Sequence, residues 1–213
     1  EMQDEIIEAY ESLDVNHIED EKKWRNTALD ILKSSSEPVF VAVRSSATTE
    51  DLEGASFAGQ QETFLNVKGN NELLKNVKKC FASLFTARAI YYRHKKGFQH
   101  ESSSLAVVIQ KMIDSDKSGV IFSQDPSYRN DNIIIEAVWG LGEGIVSGKI
   151  NPDSYIVSRE LEILSKKIAY KKIAITRDSG GNEEIVKLKE EKAKSQVLKD
   201  YEIKKLADYA IKL

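Results

Sequence analysis

The sequence has a single cysteine and only three prolines among its 213 residues. One cysteine excludes an internal disulfide, and it also excludes zinc sites that are built from several thiolates. Cys80 has the apolar neighbours Val77, Phe81 and Leu84 at helical spacing, so we expect a buried core thiol rather than a nucleophile. A reducing, cytoplasmic setting is the corresponding expectation.

Long apolar runs are also lacking. No run approaches the roughly 20 residues that span a membrane, and no secretory signal peptide is visible. Neither sign of charge dominates, because 31 Lys and Arg oppose 34 Asp and Glu for a net charge of −3. No basic stripe emerges, which argues against a nucleic-acid-binding surface, and an anionic ligand would need local positive charge. The composition, 41% hydrophobic and 31% charged, predicts a soluble globular chain.

Hydrophobic periodicity predicts an α+β fold, with a mostly helical first part and a sheet-rich second part. Helices are predicted over residues 2–13, 19–33, 70–96 and 200–213. Phe81 and Phe85 are expected to face the core from the third of these helices, which Gly97 ends, and Asp200 is expected to cap the fourth. A turn is predicted at residues 180–182. Strands are predicted over residues 39–43, 63–67, 105–113, 120–123, 132–139, 155–157 and 162–170. The strands 105–113, predicted to be largely buried, and 120–123 are expected to pair as a hairpin, and residues 189–198 to be only partly ordered. A soft boundary near residues 102–104 divides the chain into predicted domains 1–104 and 105–213.

One stretch has the chemistry of a polyphosphate site. Arg44 follows the apolar strand 39–43 at its exit and precedes a loop dense in Ser, Thr, Gly and Ala. A guanidinium supplies forked donors, and small residues let backbone N–H groups approach a phosphate. The same pattern also occurs in ordinary surface turns, so local chemistry leaves both interpretations open. Arg88 and Arg93 are further phosphate candidates, although an exposed helix arginine is usually solvated.

The glycine-rich segment 140–148 matches neither common nucleotide motif. From Gly142 to Gly148 there is one spacer too many for a Walker loop, and Ile150 stands where Ser or Thr is required. The dinucleotide fingerprint lacks its third glycine. On spacing alone, the segment is predicted to be a flexible loop.

Two long motifs nevertheless resemble one family. They are VRSSATTEDLEGASFAGQQETFLNV at residues 43–67 and IIIEAVWGLGEGIVSGKINPDSYIV at residues 133–157, linked by QKMIDSDKSGVIFSQDP at residues 110–126. In this order they closely resemble the ATP-binding domain of the phosphoenolpyruvate synthase and pyruvate phosphate dikinase family. The resemblance covers roughly residues 6–157. It implies an ATP-grasp fold, in which two lobes clamp ATP.

The resemblance also assigns residues to ATP. The implied roles are Arg44 on the transferring phosphates; a mobile lid of Gly59, Gln60 and Gln61 with Thr63; an adenine slot lined by Gln110, Met112 and Ile113; and Glu136 on the ribose hydroxyls. Ordinary structural roles are the alternatives: Gln110 satisfying an edge strand, Met112 filling core and Glu136 pairing with a lysine.

The activity that the resemblance implies is that of pyruvate, water dikinase. In this family ATP phosphorylates a histidine on a swivelling domain, and that histidine phosphorylates pyruvate on a barrel domain, giving phosphoenolpyruvate, AMP and phosphate. His17, His94 and His100 lack the context of that histidine and are predicted to be surface residues. No metal site is predicted.

The family's ATP-contacting lysine segment and its Mg²⁺ ligands are absent from this sequence. We therefore expect a fragment truncated at both ends, with Mg²⁺ ligands outside it, weak or no ATP affinity and no turnover alone.

Two alternatives remain open. A related phosphotransferase, such as rifampicin phosphotransferase, would share this ATP domain, because the acceptor is chosen elsewhere. The other alternative is a non-catalytic nucleotide-binding or regulatory module. Acceptor phosphorylation that survives Arg44→Ala would favour the non-catalytic interpretation.

Overall fold

The computed structural model of the chain describes residues 1–15, 38–47, 51–52, 55–56, 62–98, 104–127 and 130–213. It divides into two compact units, Glu1–Met112 and Ile113–Leu213. Each unit combines helices with antiparallel strands, so the fold is α+β, as predicted. The predicted helix 19–33, two of the three histidines and the lid residues 59–61 lie outside the described residues.

The first unit contains helices α1 (Met2–Val15), α2 (Asn70–Ala82) and α3 (Ala87–Lys96), a 3-10 turn (Ser83–Phe85) and strands β1 (Val41–Ala47), β2 (Asp51–Leu52), β3 (Ala55–Ser56), β4 (Thr63–Val67) and β5 (Leu105–Lys111). The second unit contains strands β6 (Lys117–Phe122), β7 (Ile133–Trp139), β8 (Asp153–Val157), β9 (Ile163–Lys167), β10 (Ile173–Arg177) and β11 (Glu183–Lys187), and helices α4 (Glu143–Val146), α5 (Glu190–Lys194) and α6 (Asp200–Lys212). None of the described helices is both long and apolar enough to cross a membrane.

The sheet of the first unit has β1 at its centre. The strand order is β4-β1-β5, and both pairings are antiparallel. Successive side chains of a strand point to opposite faces. One face therefore carries the apolar core of this unit, whose buried residues are Tyr10, Val41, Val43, Val67, Leu73, Val77 and Cys80. The opposite face carries Arg44.

Three expectations for these strands were wrong. Arg44 lies inside β1, which continues to Ala47, rather than at the exit of a shorter strand. Strand β5 is not largely buried, because its side chains alternate between half-buried and exposed. It also pairs with β1, whereas β6 pairs with β7, so the predicted hairpin does not form. Since β5 belongs to the first unit, the division of the chain falls after Met112.

The single helix predicted over residues 70–96 is interrupted. Thr86 has extended backbone angles (φ −65°, ψ 149°) and its side chain accepts a hydrogen bond from the backbone N–H of Ala89, so it caps a new helix. Gly97, in the left-handed conformation, ends that helix as predicted. Phe81 and Phe85 are exposed, with 47% and 70% of their surfaces accessible, although both were expected to face the core. Phe81 lies within α2 but off its buried face, which carries Leu73, Val77 and Cys80, and Phe85 ends the 3-10 turn.

The second unit is built on the sheet β6-β7-β8-β9, in which all three pairings are antiparallel. One face of this sheet packs against α6. The buried residues of this core are Ile133, Ile135, Ala137, Tyr155, Val157, Val197, Leu198, Ile203, Ala207 and Ala210. The N-cap of α6 is Lys199 rather than the predicted Asp200, and the Glu202 carboxylate accepts the Lys199 backbone N–H at 2.6 Å.

The hairpin β10–β11 was missed, although its turn at residues 180–182 was predicted. It joins the main sheet through the glycine-rich segment, because the Leu141 backbone N–H donates to the Ile175 carbonyl at 2.7 Å. Gly140 has φ +83°, and a Cβ atom there would lie 2.2 Å from that carbonyl oxygen. Gly140, the first glycine of the segment, therefore allows its backbone to lie close to the backbone of β10 at Ile175. The segment also contains a short helix, α4.

Residues 189–198 are ordered, contrary to expectation, because a buried carboxylate holds them. Asp153 and Lys171 are both fully buried and form an ion pair. Asp153 also accepts hydrogen bonds from the Val197 backbone N–H at 2.8 Å and from the Tyr155 hydroxyl at 3.1 Å. That hydroxyl accepts the Leu198 backbone N–H at 3.2 Å, and its burial raises the pKa of Tyr155. The network ties the segment before α6 to β8.

We expect Asp153→Asn to lower the free energy of unfolding of the second unit by about 3–5 kcal/mol, because it leaves the Lys171 ammonium buried without a counter-charge. Urea unfolding followed by Trp139 fluorescence, in a Trp24→Phe background, measures the loss. The matched control is Lys166→Ala, which removes the more exposed ion pair with Asp200 and should cost about 1 kcal/mol or less. Equal effects of the two substitutions would refute the structural role of the buried pair.

Candidate functional site

Arg44 lies on the exposed face of the first unit's sheet. In β1 the buried Val43 points to the core, so its neighbour Arg44 points the other way. The Arg44 Nη1 donates a hydrogen bond to the Gln110 Oε1 at 2.8 Å. Gln110 is the register partner of Ala42, two positions from Arg44, so antiparallel pairing places both side chains on one face.

Thr63 lies on the same face. It is the register partner of Arg44 on β4, and its side chain is exposed. On the other side of Arg44, β5 contributes Val108, which is 45% exposed although it is apolar. Arg44, Thr63 and Gln110 are thus brought together as predicted candidates, and Val108 is a neighbour that the sequence analysis did not select. The period-two alternation of β5 could have selected Val108. However, alternation shows which residues share a face with Arg44 only when the pairing of β5 with β1 is known.

The charge of Arg44 is not neutralised by the described residues. Its hydrogen-bond partner is a neutral amide, and no carboxylate of the described ranges lies within 4.0 Å of it. A guanidinium has five N–H donors, and the bond to Gln110 orients the group without cancelling its charge. The arrangement suits a ligand with several anionic oxygens.

Met112 follows β5 and is anchored at both ends. Its backbone N–H donates to the Phe40 carbonyl at 2.8 Å, and its sulfur accepts the backbone N–H of Asn66 at 3.1 Å. Asn66 has φ +56° and lies in β4 at a shift in its register with β1. At this irregularity its N–H bonds to the Met112 sulfur instead of to the neighbouring strand. The next residue, Ile113, is 78% exposed and begins the second unit. Met112 is therefore held in place, whereas Ile113 presents an apolar side chain to solvent.

Glu136 lies on β7, in the second unit. Its neighbours Ile135 and Ala137 pack against α6, so Glu136 points to the opposite face. Its register partners are Val120 and Ser154, and its side chain is half-buried. Within the described residues its carboxylate has neither a hydrogen-bond donor nor a lysine or arginine at ion-pair distance, so the expected alternative of a lysine pair is not found there.

A small, partly open cavity borders Glu136. It has a volume of about 170 Å³, and its lining includes Gly119, Ile135, Glu136 and Leu206. Strand alternation directs the Glu136 side chain to the opposite face of the sheet from Ile135, and the cavity is smaller than the roughly 300 Å³ at which ligand pockets begin. The face of Glu136 is therefore the surface to consider.

Arg93, a phosphate candidate by sequence, has a structural role. Its side chain is buried, and its Nη2 donates to the Leu84 carbonyl at 2.6 Å, which supports the turn between α2 and α3. His94 is exposed on α3. Across the described ranges, no three His, Cys, Asp or Glu side chains are grouped closely enough to hold a metal ion.

Comparison with known proteins identifies the family of the chain. Residues 1–213 match the family described as the AMP/ATP-binding domain of pyruvate phosphate dikinase. A protein of Archaeoglobus fulgidus named probable phosphoenolpyruvate synthase is 57% identical over 169 residues, which are 79% of this chain and 22% of the relative. The phosphoenolpyruvate synthase of Pyrococcus furiosus is 48% identical over 185 residues, 83% of this chain and 23% of the relative.

The rifampicin phosphotransferase of Bacillus cereus is similar to the same extent, with 49% identity over 167 residues, which are 78% of this chain and 19% of the relative. The chain spans between 15% and 34% of the length of the first relatives that it matches. The family match extends over every residue, and the motifs that predicted it lie within the matched range. The chain therefore belongs to the family of the pyruvate phosphate dikinase AMP/ATP-binding domain.

Proposed function

We propose that this chain is the ATP-binding part of a phosphoenolpyruvate synthase, an enzyme that converts ATP, pyruvate and water into AMP, phosphoenolpyruvate and phosphate. The observation that carries the proposal is the exposed group of Arg44, Gln110 and Thr63, with an arginine charge that no described carboxylate neutralises. It occurs in a chain of the AMP/ATP-binding domain family.

We also infer that the fold is of the ATP-grasp type. Each unit has an antiparallel sheet with its main apolar core on one face and a candidate ligand-binding side chain on the other. In the first unit that side chain is Arg44, which suits phosphate, and in the second it is Glu136, which suits hydroxyl groups. A fold that holds one nucleotide with two lobes requires this division of chemistry.

Arg44 would act on the phosphate groups. Phosphoryl transfer depends chiefly on positioning and on neutralising the charge that spreads over the phosphate oxygens. Because Gln110 holds one N–H of the guanidinium, the remaining donors are directed without further ordering. Thr63 adds a hydroxyl beside them. The proposed lid of Gly59, Gln60 and Gln61 would cover the same phosphates through its backbone donors.

Adenosine would be bound by the remaining predicted residues. The backbone next to Gln110, Met112 and Ile113 would read the adenine edge, with the exposed Ile113 side chain against the ring. Glu136 would accept hydrogen bonds from the two ribose hydroxyls. Its half-buried carboxylate has no donor among the described residues, and burial without a donor is costly, so a ligand that brings two donors is favoured.

The steps after ATP binding would use Mg²⁺ and two further domains of the complete enzyme, a swivelling domain and a barrel domain. Mg²⁺ bound with ATP would share in neutralising the phosphates. The phosphoryl group would pass to a histidine on a swivelling domain, and from there to pyruvate on a barrel domain. Rifampicin is the alternative acceptor, because the Bacillus cereus relative is as similar as the synthases.

Arg44→Ala should weaken ATP binding about 10- to 100-fold, because a charge-assisted hydrogen bond to phosphate is lost, and should leave adenosine binding unchanged. Ligand-observed NMR titration measures both dissociation constants, including millimolar ones. Lys75→Ala is the matched control, since this exposed lysine of the same unit pairs with Glu72 on α2. If ATP binds the Arg44→Ala chain as tightly as the parent, the phosphate role is wrong.

Gln110→Leu should weaken ATP binding through Arg44 alone. We therefore expect its effect to disappear in the Arg44→Ala background, with a coupling of about 0.5–3 kcal/mol in the double-mutant cycle. The four ATP dissociation constants, measured as above, give the coupling directly. Additive effects, together with weaker adenosine binding by Gln110→Leu, would instead assign this side chain to the base.

The catalytic part of the proposal is testable in a longer enzyme. We expect the Pyrococcus furiosus relative, with its matching segment replaced by this chain, to convert ATP to AMP through repeated turnovers only when pyruvate is present as the acceptor. Arg44→Ala in that chimera should lower the rate of AMP formation about 10²- to 10³-fold, whereas Lys75→Ala should not. A chimera that binds ATP and keeps its full rate after Arg44→Ala would support the non-catalytic interpretation.

A further inference from the structure

A second cavity lies within the second unit and is larger than the one beside Glu136. It has a volume of about 250 Å³ and is bordered by the turn before β6, the end of β7, the hairpin β10–β11 and the helix α5. Its described lining residues all belong to Ile113–Leu213. Of the described residues assigned to ATP, none lines it, so this space is distinct from the candidate site.

Two cationic side chains line this cavity. The Lys192 ammonium lies 4.8 Å from the centre of the Trp139 ring, a cation–π contact, and no carboxylate of the described ranges lies at ion-pair distance from it. The Arg177 side chain is only 9% exposed, and its Nη2 lies 3.9 Å from the Asp114 carboxylate. The cavity therefore offers a lysine charge that no described carboxylate neutralises and an arginine that is largely removed from water.

Two carboxylates border the same space. Asp114 and Asp116 lie on either side of Ser115 in the turn before β6, and both are exposed. The turn is held in place, because the Asp116 carbonyl accepts the Gly140 backbone N–H at 2.8 Å. Among the described residues, the Asp116 carboxylate has neither a hydrogen-bond donor nor a lysine or arginine at ion-pair distance, whereas Asp114 is the carboxylate near Arg177.

Apolar side chains complete the lining. Val186 of β11 is 37% exposed although it is apolar, and Leu188 is half-buried. A water molecule takes up about 30 Å³ in the liquid, so the space corresponds to roughly eight waters. Ligand pockets usually begin at roughly 300 Å³, so the occupant must be smaller than a nucleotide.

We propose that this cavity binds a free α-amino acid with a small apolar side chain, such as leucine. The carboxylate of the amino acid would bind Lys192 and Arg177, and its ammonium would bind Asp116. Its side chain would lie against Val186 and Leu188. A simple anion would be repelled by the two aspartates and a simple cation by the lysine and the arginine, so a ligand with both charges is favoured.

The inference does not rest on ATP binding, and it is tested by titrating leucine into the isotope-labelled chain. Leucine should shift the Trp139 indole N–H signal in the NMR spectrum, because this ring lines the cavity. The Trp24→Phe variant identifies that signal. The fitted shifts give the dissociation constant, which we expect to be millimolar or lower.

Two probes separate the charges of leucine. 4-Methylpentanoate has the leucine skeleton without the ammonium, and 3-methylbutylamine has it without the carboxylate. Each should bind at least about tenfold more weakly than leucine, because one set of charge-assisted hydrogen bonds is lost.

Lys192→Met should weaken leucine binding at least about tenfold, because methionine keeps a long side chain but not the charge. Asp116→Asn should do the same by removing the counter-charge of the ligand's ammonium. Lys194→Met is the matched control, since this lysine of the same helix pairs with Glu190 at the surface and does not line the cavity. It should leave the dissociation constant unchanged.

Three results would overturn the inference: no shift of the Trp139 signal up to the solubility limit of leucine, binding of 4-methylpentanoate as tight as that of leucine, or an equal loss in the control variant. The second result would assign the cavity to a simple anion instead. The comparison of the three ligands uses the parent chain alone, so it decides the matter even where a variant fails to fold.

Discussion

The antiparallel pairing of β1 with both of its neighbours determines which side chains the first unit presents on its exposed face. Pairing sets Thr63 opposite Arg44 on one side and Gln110 diagonal to it on the other, so three chain segments contribute to one exposed face. A slip of one residue in either pairing would send one partner to the apolar core. The core formed by Val41 and Val43 on the reverse face therefore protects the register, and with it the orientation of the guanidinium.

A buried carboxylate has the corresponding role in the second unit. Asp153 contacts strand β8's own Tyr155, the Lys171 ammonium and the backbone ahead of α6, and through them it orders segments that are distant in sequence. The carboxylate of Glu136, on the neighbouring strand, has none of these partners. The two acidic residues lie in the same sheet, yet Asp153 is held by several hydrogen bonds and an ion pair, whereas no described residue donates to the Glu136 carboxylate. Burial and hydrogen-bond partners, not residue type, distinguish the two roles.

The sequence predicted those parts of the fold that follow from local patterns. Strong periodicity located α1, β4, β7 and α6, and Gly97 marked the end of α3. What it did not predict depends on contacts between distant segments: the pairing of β5 with β1, and the ordering of residues 189–198 by Asp153. The break at Thr86 was missed for a different reason, because a capping hydroxyl competes with helix propensity within one turn.

For the candidate site, sequence chemistry selected Arg44, and the family resemblance supplied the others. Neither indicated that the Gln110 amide would bind the arginine, since a hydrogen bond between residues 66 positions apart depends on strand register.

The close approach of Gly140 to the Ile175 carbonyl shows that a glycine of a glycine-rich motif can be required by backbone packing alone. Natural selection at such a position acts on the absence of a side chain, and that absence is required equally by a neighbouring carbonyl and by a bound phosphate. A glycine-rich signature in a nucleotide-binding family can thus persist through evolution to preserve the join between a sheet and a hairpin. Mutational intolerance at such a glycine is accordingly poor evidence that the residue touches the nucleotide.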